Sequence, residues 1–138
     1  MSNAERVNLD ALDTVRAGEL GYELELKAPD GRALPGRIRI RGYDSETYQA
    51  LLDEQQRKRL ARMAMSRTPA VEEMNAESLE AAASLVLGWT VLFDLEGKPF
   101  EYSSANAVTL FRRFPWIREQ VERAAGVRAN FLPGPSTT

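Results

Sequence analysis

The side chains that most often carry out chemistry are missing from this chain. Its 138 residues include no histidine and no cysteine, which removes the commonest general base, the imidazole metal ligand and the thiolate nucleophile. Ser-His-Asp triads and zinc sites built on histidine or cysteine are thereby excluded. Carboxylates remain: Asp10 with Asp13, Glu72 with Glu73, and Asp94 with Glu96 are close pairs, the raw material of two-carboxylate hydrolysis or a magnesium site. Each pair falls in a stretch expected at the surface, where solvated charge is the simpler account. Gly97-Lys98-Pro99 lacks the hydroxyl residue and the spacing of a phosphate cradle. No catalytic residue, metal or cofactor is expected, and the chain reads as a non-enzyme that acts by binding another protein.

The formal charge is −2, from 18 basic and 20 acidic residues, so nothing global draws the chain to nucleic acid or an anionic membrane. Its one basic cluster is Gln55-Gln56-Arg57-Lys58-Arg59-Leu60-Ala61-Arg62. No aromatic residue interleaves it, and bases at the end of a helix already complement the helix dipole. Weak, nonspecific nucleic-acid binding is all that is expected of it. The first residues carry no apolar stretch behind a positive start, so no signal peptide is read. Ala81 to Phe93, the longest apolar stretch, is 13 residues long, against about 20 for a membrane span. The cytoplasm is the expected compartment.

The positioning elements follow from periodicity. Leu9, Leu12 and Val15 suit a short amphipathic helix ending near Gly18 or Gly21. Tyr22 to Lys27 and Arg37 to Arg41 alternate apolar and charged residues, with Pro-Asp-Gly and Pro-Gly turn chemistry between them, which predicts an antiparallel hairpin. Asp44 or Ser45 caps a helix to about Met65, with a stripe of Tyr48, Leu51, Leu52, Gln56, Leu60 and Met63. A second helix opens near Asn75 and runs through Leu79 to Phe93, apolar nearly all round. Asp94 to Tyr102 reads as a loop. Ser103 or Ser104 caps a helix over Ala105 to Arg113, and Pro115 begins another that stops at Gly126 as a C′ glycine. The predicted fold is α+β: an N-terminal antiparallel β-hairpin packed on a mainly α-helical domain, residues 1–132, with a disordered tail at 133–138.

Two features point to a partner surface. Met63, Met65 and Met74 flank one proline-containing connection, and methionine repacks against many apolar shapes. The helix carrying Leu79, Trp89 and Phe93 is too apolar for one small domain. These six residues are the candidate partner-binding set, weighed against a plain reading in which the methionines fill gaps in the core. Phe114-Pro115-Trp116-Ile117 is an aromatic knot read first as a helix corner in the core, second as a binding anchor.

A resemblance sharpens this. Gly88-Trp89, the acidic Gly-Lys-Pro loop with Phe100 and Ser103, Ala105-Asn106-Ala107, the Phe114-Pro115-Trp116-Ile117-Arg118-Glu119-Gln120-Val121 string and the Arg128-Ala129-Asn130-Phe131 ending resemble the C-terminal half of tail assembly chaperones of long-tailed bacteriophages and prophages. The hairpin, Arg41-Gly42-Tyr43-Asp44-Ser45 and the helix with Arg57 to Arg62 are similar to that family's N-terminal half, so the resemblance spans about residues 8 to 132. It implies a non-catalytic protein of the host bacterial cytoplasm. Its client would be the tape measure protein, a very long and largely helical chain that fixes tail length, kept soluble while tube subunits polymerise round it. Many members also have a longer, frameshifted form whose extension recruits tail tube protein; the resemblance leaves open whether this chain does. Covering a long client with many copies favours a homo-oligomer. The alternatives are a prophage-encoded regulatory protein that binds another protein, and a small nucleic-acid-binding adaptor.

Overall fold

The computed structural model describes residues 5–68 and 70–133; of the tail expected at 133–138, all but Pro133 lies outside them. Asn8 Oδ1 accepts the Asp10 N–H at 3.1 Å ahead of a 3-10 turn over Leu9–Leu12. Asp13 Oδ1 accepts the N–H groups of Val15 and Arg16 ahead of α1, Thr14–Leu20. The single helix expected there is therefore two short pieces. Its apolar stripe also faces out: Leu9, Leu12 and Val15 are exposed, while Ala17 and Gly18 pack inward.

The alternating segments pair as expected. β1, Tyr22–Leu24, runs antiparallel to β2, Ile38–Ile40, with Leu24 opposite Ile38 and Tyr22 opposite Ile40. Leu26, Ile38 and Ile40 are fully buried, and the charges between them pair on the outer face: Glu23 with Arg39 at 2.6 Å, Glu25 with Arg37 at 3.4 Å.

The N-terminal hairpin on a helical domain is nevertheless not the architecture. β2 pairs on its other side with β3, Val86–Trp89, giving a three-stranded antiparallel sheet in the order β1-β2-β3. β4, Phe93–Leu95, and β5, Lys98–Phe100, form a separate two-stranded ribbon. Among the described residues the strands are thus scattered between five α-helices in an α+β fold with two small sheets.

The helix expected to reach Phe93 stops at Ala83, as α3, Val71–Ala83. An apolar run without a period fits a buried strand as well as a helix, and the open edge of β2 decides between them. Arg41 N–H donates to Leu85 O and its guanidinium to Ser84 O, both at 2.6 Å, turning the chain out of the helix. Val86, Leu87 and Trp89, β-branched or bulky, then suit a strand. The expected loop at Asp94 to Tyr102 is a hairpin because Glu96 (φ 55°) and Gly97 (φ 78°) make a tight two-residue turn with positive φ at both positions. Pro99 is tolerated because the Asp94–Pro99 pair, next to the closing Leu95–Lys98 pair, has its backbone groups directed outward.

The core lies between the sheet and α4, Ser104–Arg113, with α5, Pro115–Ala125. Ser103 Oγ accepts the Asn106 N–H at 3.0 Å, and Pro115 occupies the first turn of α5. Ala107, Leu110 and Phe111, then Ile117, Val121, Ala124 and Ala125, recur at helical spacing and are buried against Leu85 and Val86. Gln120 reaches from α5 to the hairpin and matches the Lys27 backbone, accepting its N–H and donating to its carbonyl, both at 2.8 Å. Gly126 (φ −83°) is not a left-handed C′ glycine; a side chain there would crowd the Tyr43 ring, 3.3 Å from an added Cβ.

α2, Glu46–Ala64, starts at Ser45, whose buried hydroxyl accepts the Tyr48 N–H. Its stripe is half right. Tyr48 packs on the core, but Gln55 rather than Gln56 is buried, donating to Glu77 O at 2.8 Å, and Leu60 and Met63 are exposed. Beyond Gln55, α2 and α3 are joined by charge. Arg62 pairs with Glu77 and with Glu73, Arg59 with Glu77, and Arg67 with Glu73.

Candidate protein-binding groove

The six candidate residues separate into two places. Met63, Met65 and Met74 lie at the connected ends of α2 and α3 and are 62%, 72% and 51% exposed, so the core-filling reading of the methionines does not hold. Leu79 packs against the core. Trp89 and Phe93, expected on one helix, sit on two strands of different sheets, yet their rings meet edge to face at 5.5 Å. Phe100 stacks on Trp89 at 6.0 Å and Tyr102 stands perpendicular to it at 5.2 Å.

This aromatic cluster lies at the root of the β4–β5 ribbon, which has an apolar hollow on either side. One, of about 300 Å³, is lined by Leu34, Pro35, Leu95, Phe114 and Trp116; the other, of about 560 Å³, by Trp89, Thr90, Pro99, Glu101 and Tyr102. Val91, Leu92, Phe93, Asp94 and Phe100 border both. Leu92 is 96% exposed, the most exposed of the large apolar side chains among the described residues. The aromatic knot is a helix corner in part: Ile117 is buried in the core, while Phe114 and Trp116, half-buried, also wall the first hollow.

Leu92 and the ribbon were not singled out from the sequence. The available signal was the alternation Phe93-Asp94-Leu95 and Lys98-Pro99-Phe100 about Glu96-Gly97, a hairpin pattern with a Gly in its second turn position.

One member of each acidic pair has a structural partner. Asp13 caps α1, Glu73 pairs with Arg62 and Arg67, and Glu96 pairs with Arg113 at 3.0 Å. A polar hollow of about 210 Å³ beside Thr14 and Tyr43 is closed by its own charges. There Arg128 and the Thr14 hydroxyl donate to Asp44 and hold its carboxyl below the ordinary value. Among the described residues no group of carboxylates is placed to hold a metal ion, and no helix is long and apolar enough to cross a membrane. The basic cluster is largely engaged: Lys58 pairs with Glu54, and Arg59 and Arg62 with α3.

The domain is thus an α+β fold with apolar hollows flanking an aromatic ribbon. The family model for YdaY prophage protein matches residues 43–134, two thirds of the chain. The chain belongs to that prophage protein family. The matched span starts just before α2 and contains the ribbon, the methionines and both hollows except Leu34 and Pro35. No curated protein and no solved structure matches the chain.

Proposed function

We propose that this prophage protein is a non-catalytic tail assembly chaperone that binds the tape measure protein and keeps it soluble while the tail tube forms. The observation that carries the reading is the apolar surface about Leu92, with hollows on both sides of the β4–β5 ribbon. Apolar surface of this kind, rimmed by polar residues, is the usual mark of a protein-binding site. The Phe114 to Val121 string that resembles tail assembly chaperones supplies two of the walls, Phe114 and Trp116. Membership of a prophage family fits a phage assembly role, and the lack of histidine and cysteine fits a binding role.

Many copies on one long client, and so self-association, belong to the same proposal, as does tail tube protein as a second partner through a longer form. The test is coexpression with a tape measure protein, a long and largely helical chain. The client is expected to stay in the supernatant and to comigrate with this chain on gel filtration, and Leu92→Asn is expected to weaken both effects. Equal client solubility with and without this chain, and no complex, would refute the reading.

A further inference from the structure

The charges around the hollows all have one sign. Asp94 borders both, Glu101 borders the larger, and no lysine or arginine lines either. Among the described residues neither Asp94 nor Glu101 has an ion-pair partner, whereas Glu96 at the ribbon turn is matched by Arg113. Arg113 is doubly committed, since its guanidinium also lies over the Phe114 ring at 5.7 Å. Lys98, at the tip of the ribbon beside the turn, borders neither hollow. An apolar floor of Trp89, Leu92, Phe93 and Phe100 thus carries two uncompensated carboxylates at its margin. In a chain otherwise close to neutral, this asymmetry selects among apolar partners.

We propose that the groove takes an amphipathic segment whose apolar side chains are flanked by lysine or arginine. The apolar residues would cover Leu92 and the exposed edges of the Trp89 cluster, and the cations would approach Asp94 and Glu101. A segment of equal hydrophobicity with acidic flanks would meet like charge at the same margin. This rests on the reading of the protein as a binder of another chain, and it adds which stretches of a long client are held.

The probes are two labelled synthetic helices of about 18 residues, five turns long, sharing one leucine stripe, with lysine on the polar face of one and glutamate on that of the other. Anisotropy titrations against the full chain are expected to show the lysine helix binding about tenfold or more tighter, with the gap narrowing as salt rises. Asp94→Asn with Glu101→Gln is expected to weaken the lysine helix by about threefold to tenfold and leave the thermal midpoint unchanged. Asp53→Asn with Glu119→Gln removes two charges outside the groove and is expected to change nothing, which separates the groove from general attraction of a cation to an acidic protein.

Equal binding of the two helices, or equal effects of the two double variants, would overturn the inference. Its failure is distinguishable from failure of the chaperone reading. If the tape measure protein is kept soluble and the helices are not discriminated, only the charge selection is wrong. If discrimination holds and the tape measure protein is not bound, the groove and its preference stand with a different client.

Discussion

Gly36 provides a sharp test of the sheet that replaces the expected helix. The start of β2 is latched to the end of β3: Arg37 N–H donates to the Thr90 hydroxyl at 2.9 Å, and Thr90 N–H donates to Arg37 O at 2.8 Å. Gly36, immediately before, has φ 92°, and a Cβ added there would lie 2.8 Å from Val91 N and Cα and 3.0 Å from Thr90 C. Those are backbone atoms held by the latch, so they cannot turn aside. Gly36→Ala therefore combines about 1–2 kcal/mol for the left-handed conformation with about 1–3 kcal/mol for forcing two backbone segments apart. Gly31 supplies the control, because its φ of 90° is nearly the same and nothing lies within 4 Å of an added Cβ. Gly31→Ala should incur the conformational cost alone, about 1–2 kcal/mol. The measurement is urea unfolding of both variants followed by fluorescence of Trp89 and Trp116. The gap between them should be about 1–3 kcal/mol, or several degrees of melting temperature in a domain of this size. If residues 86–93 continued as a helix, Gly36 would have no backbone to meet there. Equal destabilisation of the two variants, within about 0.5 kcal/mol, would refute the pairing of β2 with β3 as described.

Gln55→Ala should cost about 1–2 kcal/mol, because it removes the buried donor to Glu77 O, whereas Gln56→Ala on the exposed face should stay within about 0.5 kcal/mol; chemical denaturation of the pair checks which glutamine faces α3. Hydrogen bonds from Arg62 and Arg59 hold the Glu77 carboxyl below its ordinary value, and Arg128 and Thr14 do the same for Asp44. Groups with lowered native pKa stabilise fully above the ordinary carboxylate value of about 4 and lose that contribution as pH falls through the native one. With no histidine, the melting temperature should be level from about pH 6 to 8 and fall below about pH 4; Glu77→Gln should shallow the acid limb, and an unchanged limb would count against the Arg62 pairing. Met65→Ser with Met74→Ser should leave stability within about 0.5 kcal/mol, because both side chains are exposed, while weakening retention of the client in coexpression; a large loss of stability would place them in the core.

What was legible in the sequence followed its periods. Tyr22 to Lys27 and Arg37 to Arg41 alternate strictly, and they pair in the register that buries Leu26, Ile38 and Ile40. Ser45, Ser103 and Pro115 mark helix starts where they were expected, because a cap is a local interaction. Leu79 to Phe93 has no period, so local rules cannot separate a buried strand from a buried helix. Its outcome is set by the open edge of β2, some fifty residues earlier in the chain. The groove was illegible for the same reason. Leu34, Val91, Phe100 and Trp116 meet only after β3 has joined the sheet, and Leu92 becomes recognisable only by being left uncovered.

The helical pair α2 and α3 inverts the usual arrangement, and the inversion bears on function. Gln55, Arg59 and Arg62 face Glu73 and Glu77 across the seam, while Leu60, Met63 and Met74 face solvent. On α2 the exposed pair lies about a quarter turn or more from the seam, at 100° per residue. On the antiparallel α3, Met74 lies about a quarter turn round in the direction that brings it to the same flank. A seam built from partly exposed ion pairs contributes less than a packed apolar one would. Folding alone therefore gives no reason to place charges within and apolar residues without. The proposed function supplies one, a second client contact, and the seam lets the methionines remain uncovered without loosening the two helices from each other. Within the basic cluster the same seam covers Arg62 against Glu73 and Glu77, while Arg59, paired with Glu77, stays half exposed.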